Sequence, residues 1–244
     1  MDFKRILSAL LGFPLVVIML IFGNKYVVDI FLSAIALLSM QEYFNAVSKD
    51  AKPVRWVGYL SCIIIALIHI VPENVSEANL NLIKLILLPT IMLILFAQVI
   101  ITNMKTNFKD IAYTLFGMAY VVGFTLFVAL IRGMDNGRIL IWYAIIAAWG
   151  TDTFAYFNRK KFGKHKFSSI SPKKSLEGCI AGIIGAVVLA IIYTIAINSI
   201  YDMGYRYIYV FLATILLSII SQIGDFAASS IKRFVNVKDY SNLI

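Results

Sequence analysis

The sequence predicts an all-α fold, a polytopic bundle of about eight membrane-spanning helices without a soluble core. Three observations carry that prediction. Of 244 residues, 61% are hydrophobic and only 14% charged, with a mean hydropathy of +0.86, far from the composition of soluble domains. Apolar runs long enough to cross roughly 30 Å of hydrocarbon recur along the whole chain. The cations, finally, gather in alternate connections between those runs.

The first expected span covers residues 6–22. Lys4 and Arg5 precede it as they would a signal peptide, but no small-x-small cleavage site closes it and Gly12-Phe13-Pro14 interrupts its centre, so it reads as a retained helix. The second, residues 26–47, carries Asp29, with Lys25 four residues earlier and in pairing range, and Glu42 near the other end as an interfacial acid. The third, residues 56–71, is short and carries His69, read as an interfacial side chain. The fourth, residues 80–101, contains Pro89. Like Pro14, it reads as a kink, because neighbours and water can satisfy the freed carbonyls. Four more runs follow at residues 111–131, 139–157, 179–197 and 207–226. No repeat, linker or low-complexity tract separates them, so residues 1–244 read as one membrane domain, with N-terminal spans in 1–138 and the polar motifs in 139–244. Cys62 and Cys179 lie in or beside apolar runs and read as buried reduced thiols, too few for a cysteine-based metal site.

Seventeen of the 22 Lys and Arg fall at the N-terminus and after the second, fourth, sixth and eighth spans. Lys25, Lys84, Arg132, Arg138 and Arg206 are left for the opposite side. By the positive-inside rule both termini and the Arg159–Lys174 connection face the cytoplasm of a plasma membrane. The net charge of +9 suits anionic lipid and acidic substrates. Cations placed between spans, with no soluble module to carry them, exclude nucleic-acid binding.

Chemistry concentrates at the cytoplasmic ends of the sixth and eighth spans. From Asp225, Ser221 lies at i−4, Ser229 at i+4 and Lys232 at i+7, so one polar stripe runs down an otherwise apolar helix, with Arg233 beside its end. Trp149, Asp152, Tyr156 and Arg159 stand at i, i+3, i+7 and i+10 and share a face. Carboxylates are expensive in lipid, and intramembrane acids mark functional sites. Between the two spans, seven cations in sixteen residues, Arg159 to Lys174, are interrupted by Gly163, Ser168, Ser169, Ser171 and Pro172. Such a loop can wrap a polyphosphate. Ser171-Pro172 reads as N-cap and first helical residue, which would project Lys173 and Lys174 from a helix N-terminus. His165, among cations, reads as a hydrogen-bonding loop residue rather than a general base. P-loop, GxSxG and HExxH patterns are missing, as is the paired-aspartate motif of CDP-alcohol phosphotransferases.

Ser229, Lys232, Arg233, Lys238 and Asp239 spell S-x-x-K-R-x-x-x-x-K-D. Together with Trp149 to Phe157, Phe162 to Lys166 and Ser171 to Gly178, that stretch resembles the phosphatidate cytidylyltransferases, also called CDP-diacylglycerol synthases. The resemblance covers the C-terminal two fifths closely and the rest in hydropathy and order of spans. It implies a bacterial membrane nucleotidyltransferase joining CTP and phosphatidic acid into CDP-diacylglycerol and pyrophosphate. It also implies Mg²⁺ on Asp225, with a second cation left open, and Asp152 as an additional or supporting ligand. Lys164, Lys173, Lys174, Lys232, Arg233 and Lys238 become phosphate partners, and Ser229 a group orienting water or metal. Membrane lipids surround such a protein, and a homodimer is left open.

In that family the signature continues into Pro-x-His-Gly-Gly and Asp-Arg-x-Asp, whereas this sequence stops at Ile244. The expectation is therefore a truncated chain with one of two acidic ligands and little activity alone. Two other classes compete. A transporter would use Asp29, Asp152 and Asp225 as an ion relay, and a lipid or polyprenol kinase would need a metal, a triphosphate and a cytoplasmic site.

Overall fold

A computed structural model describes residues 3–70, 77–166, 171, 174–237 and 240. They form eight helices: α1 Phe3–Phe22, α2 Lys25–Val47, α3 Arg55–Leu67, α4 Glu77–Ile101, α5 Phe108–Gly133, α6 Gly137–Phe162, α7 Leu176–Tyr201 and α8 Tyr207–Phe234. Each of the eight apolar runs thus becomes a helix, and α1 and α4 continue through Pro14 and Pro89. Among the described residues, five helices are by length and composition able to cross a membrane: α2, α5, α6, α7 and α8. The 13-residue α3 rises only about 20 Å at 1.5 Å per residue. It ends at Leu67, short of the expected Val71, where the chain turns His69 inward. Two helices contain a π-helical stretch, Met118–Gly123 in α5 and Ile146–Gly150 in α6.

The chain divides into two compact units, Met1–Gly137 with Val237–Ile244, and Arg138–Asn236. In the first, Met40 and Phe44 of α2 are fully buried, and glycines let neighbours close on them. A Cβ at Gly58 would run into the Phe44 ring, and one at Gly117 into Tyr43. Asn107 and Asp110 form a capping box at the start of α5. Asp110 also accepts the Lys52 amide at 2.6 Å, while Thr114 Oγ1 accepts the Val54 amide at 2.8 Å, so α5 pins the α2–α3 link. Asp29 is fully buried, and its Oδ2 lies 2.6 Å from His69 Nδ1. The expected Lys25 partner and the interfacial His69 are both corrected: a carboxylate this deep needs a donor at contact distance, and the end of α3 delivers one.

In the second unit α6 and α7 meet backbone to backbone. A Cβ at Gly182 would stand 2.7 Å from the Thr151 carbonyl oxygen and one at Gly178 3.0 Å from that of Ala155, while one at Gly185 would enter the Phe154 ring. This stripe of small residues is how membrane helices approach closely. Helix α8 is tied on by polar contacts. The buried Thr151 hydroxyl donates to Ser218 Oγ at 2.9 Å, and Gln222 Nε2 to the Cys179 carbonyl at 3.2 Å. At the other end, Tyr143 and Thr194 hydroxyls lie 3.0 Å apart, and the Tyr193 hydroxyl donates to the Ile139 carbonyl at 3.1 Å. The α7–α8 turn passes through Asp202 in left-handed conformation, φ 50°, and the Asn198 amide clamps both backbone groups of Tyr205 at 2.9 Å.

Candidate functional site

The close α6–α7 contact leaves a cleft between the C-terminal part of α6, the start of α7 and the second half of α8. It is a cavity of about 190 Å³ whose polar lining includes Asp152, Tyr156 and Arg159 from α6, Lys174 and Ser175 before α7, and Gln222 and Asp225 from α8. Asp152 and Asp225, the two acids singled out at the ends of the sixth and eighth spans, therefore line one space, together with Arg159 and Lys174, the first and last cations of the basic stretch.

Lys174 Nζ donates to Asp225 Oδ2 at 2.8 Å and lies 4.4 Å from the centroid of the Phe226 ring. The pair is open to solvent, with 23% of the lysine and 47% of the aspartate side chain exposed. Across the cavity Arg159 stacks on Tyr156, its guanidinium carbon 5.4 Å from the ring centroid. The arrangement offers carboxylate oxygens to a hard cation and two cationic groups to phosphate oxygens.

The loop before α7 is shaped by Glu177. Its carboxylate accepts the His165 amide at 3.2 Å and the Lys164 amide at 3.3 Å, and meets His165 Nδ1 at 2.6 Å. The Leu176 amide donates back to the His165 carbonyl at 3.0 Å, and Lys166 and Ser175 form an isolated antiparallel bridge. Gly163 to Lys166 are thus folded against the first turn of α7. His165 is the hydrogen-bonding loop residue that was expected.

Several expectations need correction. The N-cap of α7 is Ser175, whose hydroxyl accepts the Gly178 amide at 3.1 Å, and not Ser171. Ser175 wins because its backbone is extended and already bridged to Lys166. Lys174 consequently precedes the cap, from where it reaches Asp225 on α8. Trp149 does not line the cavity with Asp152, Tyr156 and Arg159. It belongs to the π stretch Ile146–Gly150, where the extra residue per turn rotates it off their face. On α8, Gln222 and not Ser221 joins Asp225 at the cavity. The buried polar residues of that helix are Thr214 and Ser218, so its polar seam runs through 214, 218, 222 and 225.

Ser229, Lys232 and Arg233 lie one to two turns beyond Asp225 on α8 and do not line this cavity; Arg233 is exposed, Ser229 and Lys232 partly buried. Lys164 is exposed. Lys173, Lys238 and Asp239 lie outside the described residues. Sequence reasoning missed Glu177 as the loop's organiser and Gln222 as a lining residue; a lone acid just after an N-capping serine was the available signal for the first.

Residues 3–244 match the family described as the cytidylyltransferase family. Among curated proteins, the chain is 30% identical over 244 residues to a phosphatidate cytidylyltransferase of Staphylococcus haemolyticus, covering 98% of this chain and 88% of that protein. It is 31% identical over 247 residues to one of Bacillus subtilis, with 99% and 88% covered. A Staphylococcus aureus protein of the same name is 30% identical over 245 residues, with 98% and 88% covered.

Proposed function

We propose, because the chain belongs to the cytidylyltransferase family, that it is an integral membrane nucleotidyltransferase that joins CTP to phosphatidic acid, giving CDP-diacylglycerol and pyrophosphate in phospholipid biosynthesis. The observation that best supports this reading is the Lys174–Asp225 pair in a cavity also lined by Asp152 and Arg159.

In the reaction a phosphate oxygen of the lipid attacks the α-phosphorus of CTP. A new P–O bond forms as the bond to the β-phosphate bridging oxygen breaks, and that electron pair leaves with pyrophosphate. Two polyanions must be held in line and the leaving charge neutralised, which is positioning and electrostatics rather than covalent work for the protein. In this reading Lys174 and Arg159 hold phosphate oxygens. Lys174 exchanges its exposed carboxylate partner for the incoming anion. Lys232, Arg233 and Lys164 lie further out and draw the triphosphate in, and Ser229 orients water near Asp225. Lys173 and Lys238 have the same assignment as phosphate partners.

Mg²⁺ is the cofactor this reading assigns. The donor set fits, since Asp152 and Asp225 present hard oxygens to one cavity, and this ion is held by one or two carboxylates together with water and substrate phosphate. Among the described residues no group of three or more His, Cys, Asp and Glu gathers into a closed protein cage. When bound, the ion supplies neutralisation of phosphate charge. Both termini and the Arg159–Lys174 connection face the cytoplasm in this reading, as the distribution of the 22 cations favours.

The test is incubation of the purified chain, extended through the Pro-x-His-Gly-Gly and Asp-Arg-x-Asp elements, in mixed micelles with phosphatidic acid, Mg²⁺ and CTP labelled at the α- or the γ-phosphate. Label from the α-position in the lipid product is expected. Label transferred from the γ-position would mean a kinase, and no transfer from either would mean that the cavity serves transport.

A further inference from the structure

The second unit carries another cavity, of about 290 Å³, at its opposite end. Leu140 and Tyr143 of α6, Tyr205 and Arg206 of the α7–α8 turn, and Tyr209 and Leu217 of α8 contribute to its lining. Tyr209 precedes Asp225 by sixteen residues on α8, about 24 Å at 1.5 Å per residue. The polar ends of the two cavities, at Tyr209 and Asp225, are therefore close to a hydrocarbon thickness apart.

We propose that this second cavity binds one anionic phospholipid of the leaflet opposite the Asp152–Asp225 site. Three features bear on the occupant. First, tyrosines crowd this end: Tyr201, Tyr207 and Tyr209 are exposed, while Tyr143, Tyr193 and Tyr205 pack together with ring centroids 5.0 Å and 6.3 Å from Tyr143. Tyrosine belts mark the headgroup level of a bilayer, so the cavity mouth sits where lipid phosphates are. Second, Arg206 stands at the cavity with its guanidinium carbon 5.1 Å from the Tyr209 ring centroid and donates to the Tyr209 hydroxyl at 3.3 Å. Stacking holds the planar fork in place, and a guanidinium has five donors, of which the hydroxyl takes one. Third, the wall below Arg206 is mainly apolar: Val210, Ala213 and Leu217, with Thr214 the one hydroxyl among them, continue it to eleven residues past Arg206.

A soluble phosphate would engage Arg206 and waste the wall. A neutral lipid would fill the wall and leave the guanidinium opposite a zwitterion. A lipid with a net negative headgroup uses both. The volume is at the lower end for ligand pockets, enough for a headgroup and the first part of one chain.

The experiment uses the whole chain in phosphatidylcholine nanodiscs, with thermal unfolding and native mass spectrometry as readouts. Adding phosphatidylglycerol should raise the unfolding midpoint by several degrees, and one tightly held phosphatidylglycerol should survive in the spectrum. Arg206→Gln should abolish the shift and reduce the bound species at least fivefold. Leu217→Trp, which fills the wall and keeps the cation, should do the same and carries the test if the first variant misfolds. Cytidylyl transfer by both variants in phosphatidylcholine should match that of the unaltered chain. An equal shift with added phosphatidylcholine, an undiminished shift in both variants, or a full shift with glycerol 3-phosphate alone would each overturn the proposal.

Discussion

Lys174 Nζ and Asp225 Oδ2, 51 residues apart in sequence, lie 2.8 Å from each other across the mouth of the Asp152 cavity. An ion pair this exposed contributes at most about 1 kcal/mol to stability. Its value lies elsewhere: a weakly held cation can change partners when a phosphate arrives.

Asp225→Asn is expected to lower turnover by about 10²-fold or more while leaving thermal stability near that of the unaltered chain. The amide keeps the shape and an oxygen for Lys174 but removes the anionic oxygen a hard cation needs. Turnover measured against Mg²⁺ concentration checks this; full activity at limiting Mg²⁺ would make the carboxylate structural.

For Lys174→Ala the expected loss is chiefly in CTP binding, a KM raised about tenfold, the equivalent of roughly 1.4 kcal/mol. Lys174→Arg should recover part of it, since charge survives but the fork cannot reproduce a point contact. Steady-state kinetics with CTP as the varied substrate separates these effects. An unchanged KM in both variants would remove Lys174 from the substrate's path.

Glu177→Ala releases the Lys164 and His165 amides and the His165 ring together. KM for CTP should rise severalfold with a smaller change in kcat, because Glu177 shapes the loop and does not line the cavity. Glu177→Gln, which keeps acceptor capacity for the amides, should fall between. Proteolysis in the 163–166 stretch should accelerate in step; a kinetic effect without it would argue that Glu177 meets the substrate.

Gly182→Ala places a Cβ 2.7 Å from the Thr151 carbonyl oxygen, a backbone atom that cannot swing away. Overpacking of this kind costs about 1–3 kcal/mol, which thermal unfolding in detergent would register as a drop of several degrees. Gly123→Ala meets nothing within 4 Å and is the matched control, expected to be neutral or stabilising.

The helices were legible because hydropathy has one dominant period and length scale in a membrane. The π stretches were not, since they change hydrogen-bond register without changing composition, and for that reason Trp149 fell off the face it was expected to share with Asp152. Asp152 and Asp225 stood out as acids in apolar helices. Lys174 did not stand out from the six other cations of its stretch, because only the fold tells which of them reaches α8. Asp29 and His69, 40 residues apart, were each read against sequence neighbours, whereas burial joined them to each other. Glu177 went unassigned because its partners are mostly backbone amides, which no sequence displays.

The glycine stripe of α7 sets a position along an axis. Sliding α7 by one residue against α6 would move it 1.5 Å and turn it by about 100°, bringing Cys179 or Ile183 where only hydrogen fits beside Thr151 and Ala155. Intermediate offsets are closed as well, because the obstacles are carbonyl oxygens of a helix. Gly178 and Gly182 therefore act as a ruler between Asp152, which follows Thr151 directly on α6, and Ser175, the residue from which Lys174 departs. In-line attack tolerates errors well under 1.5 Å, a finer gauge than flexible side chains could keep. The tolerance of the site is thus written into two positions that carry no side chain.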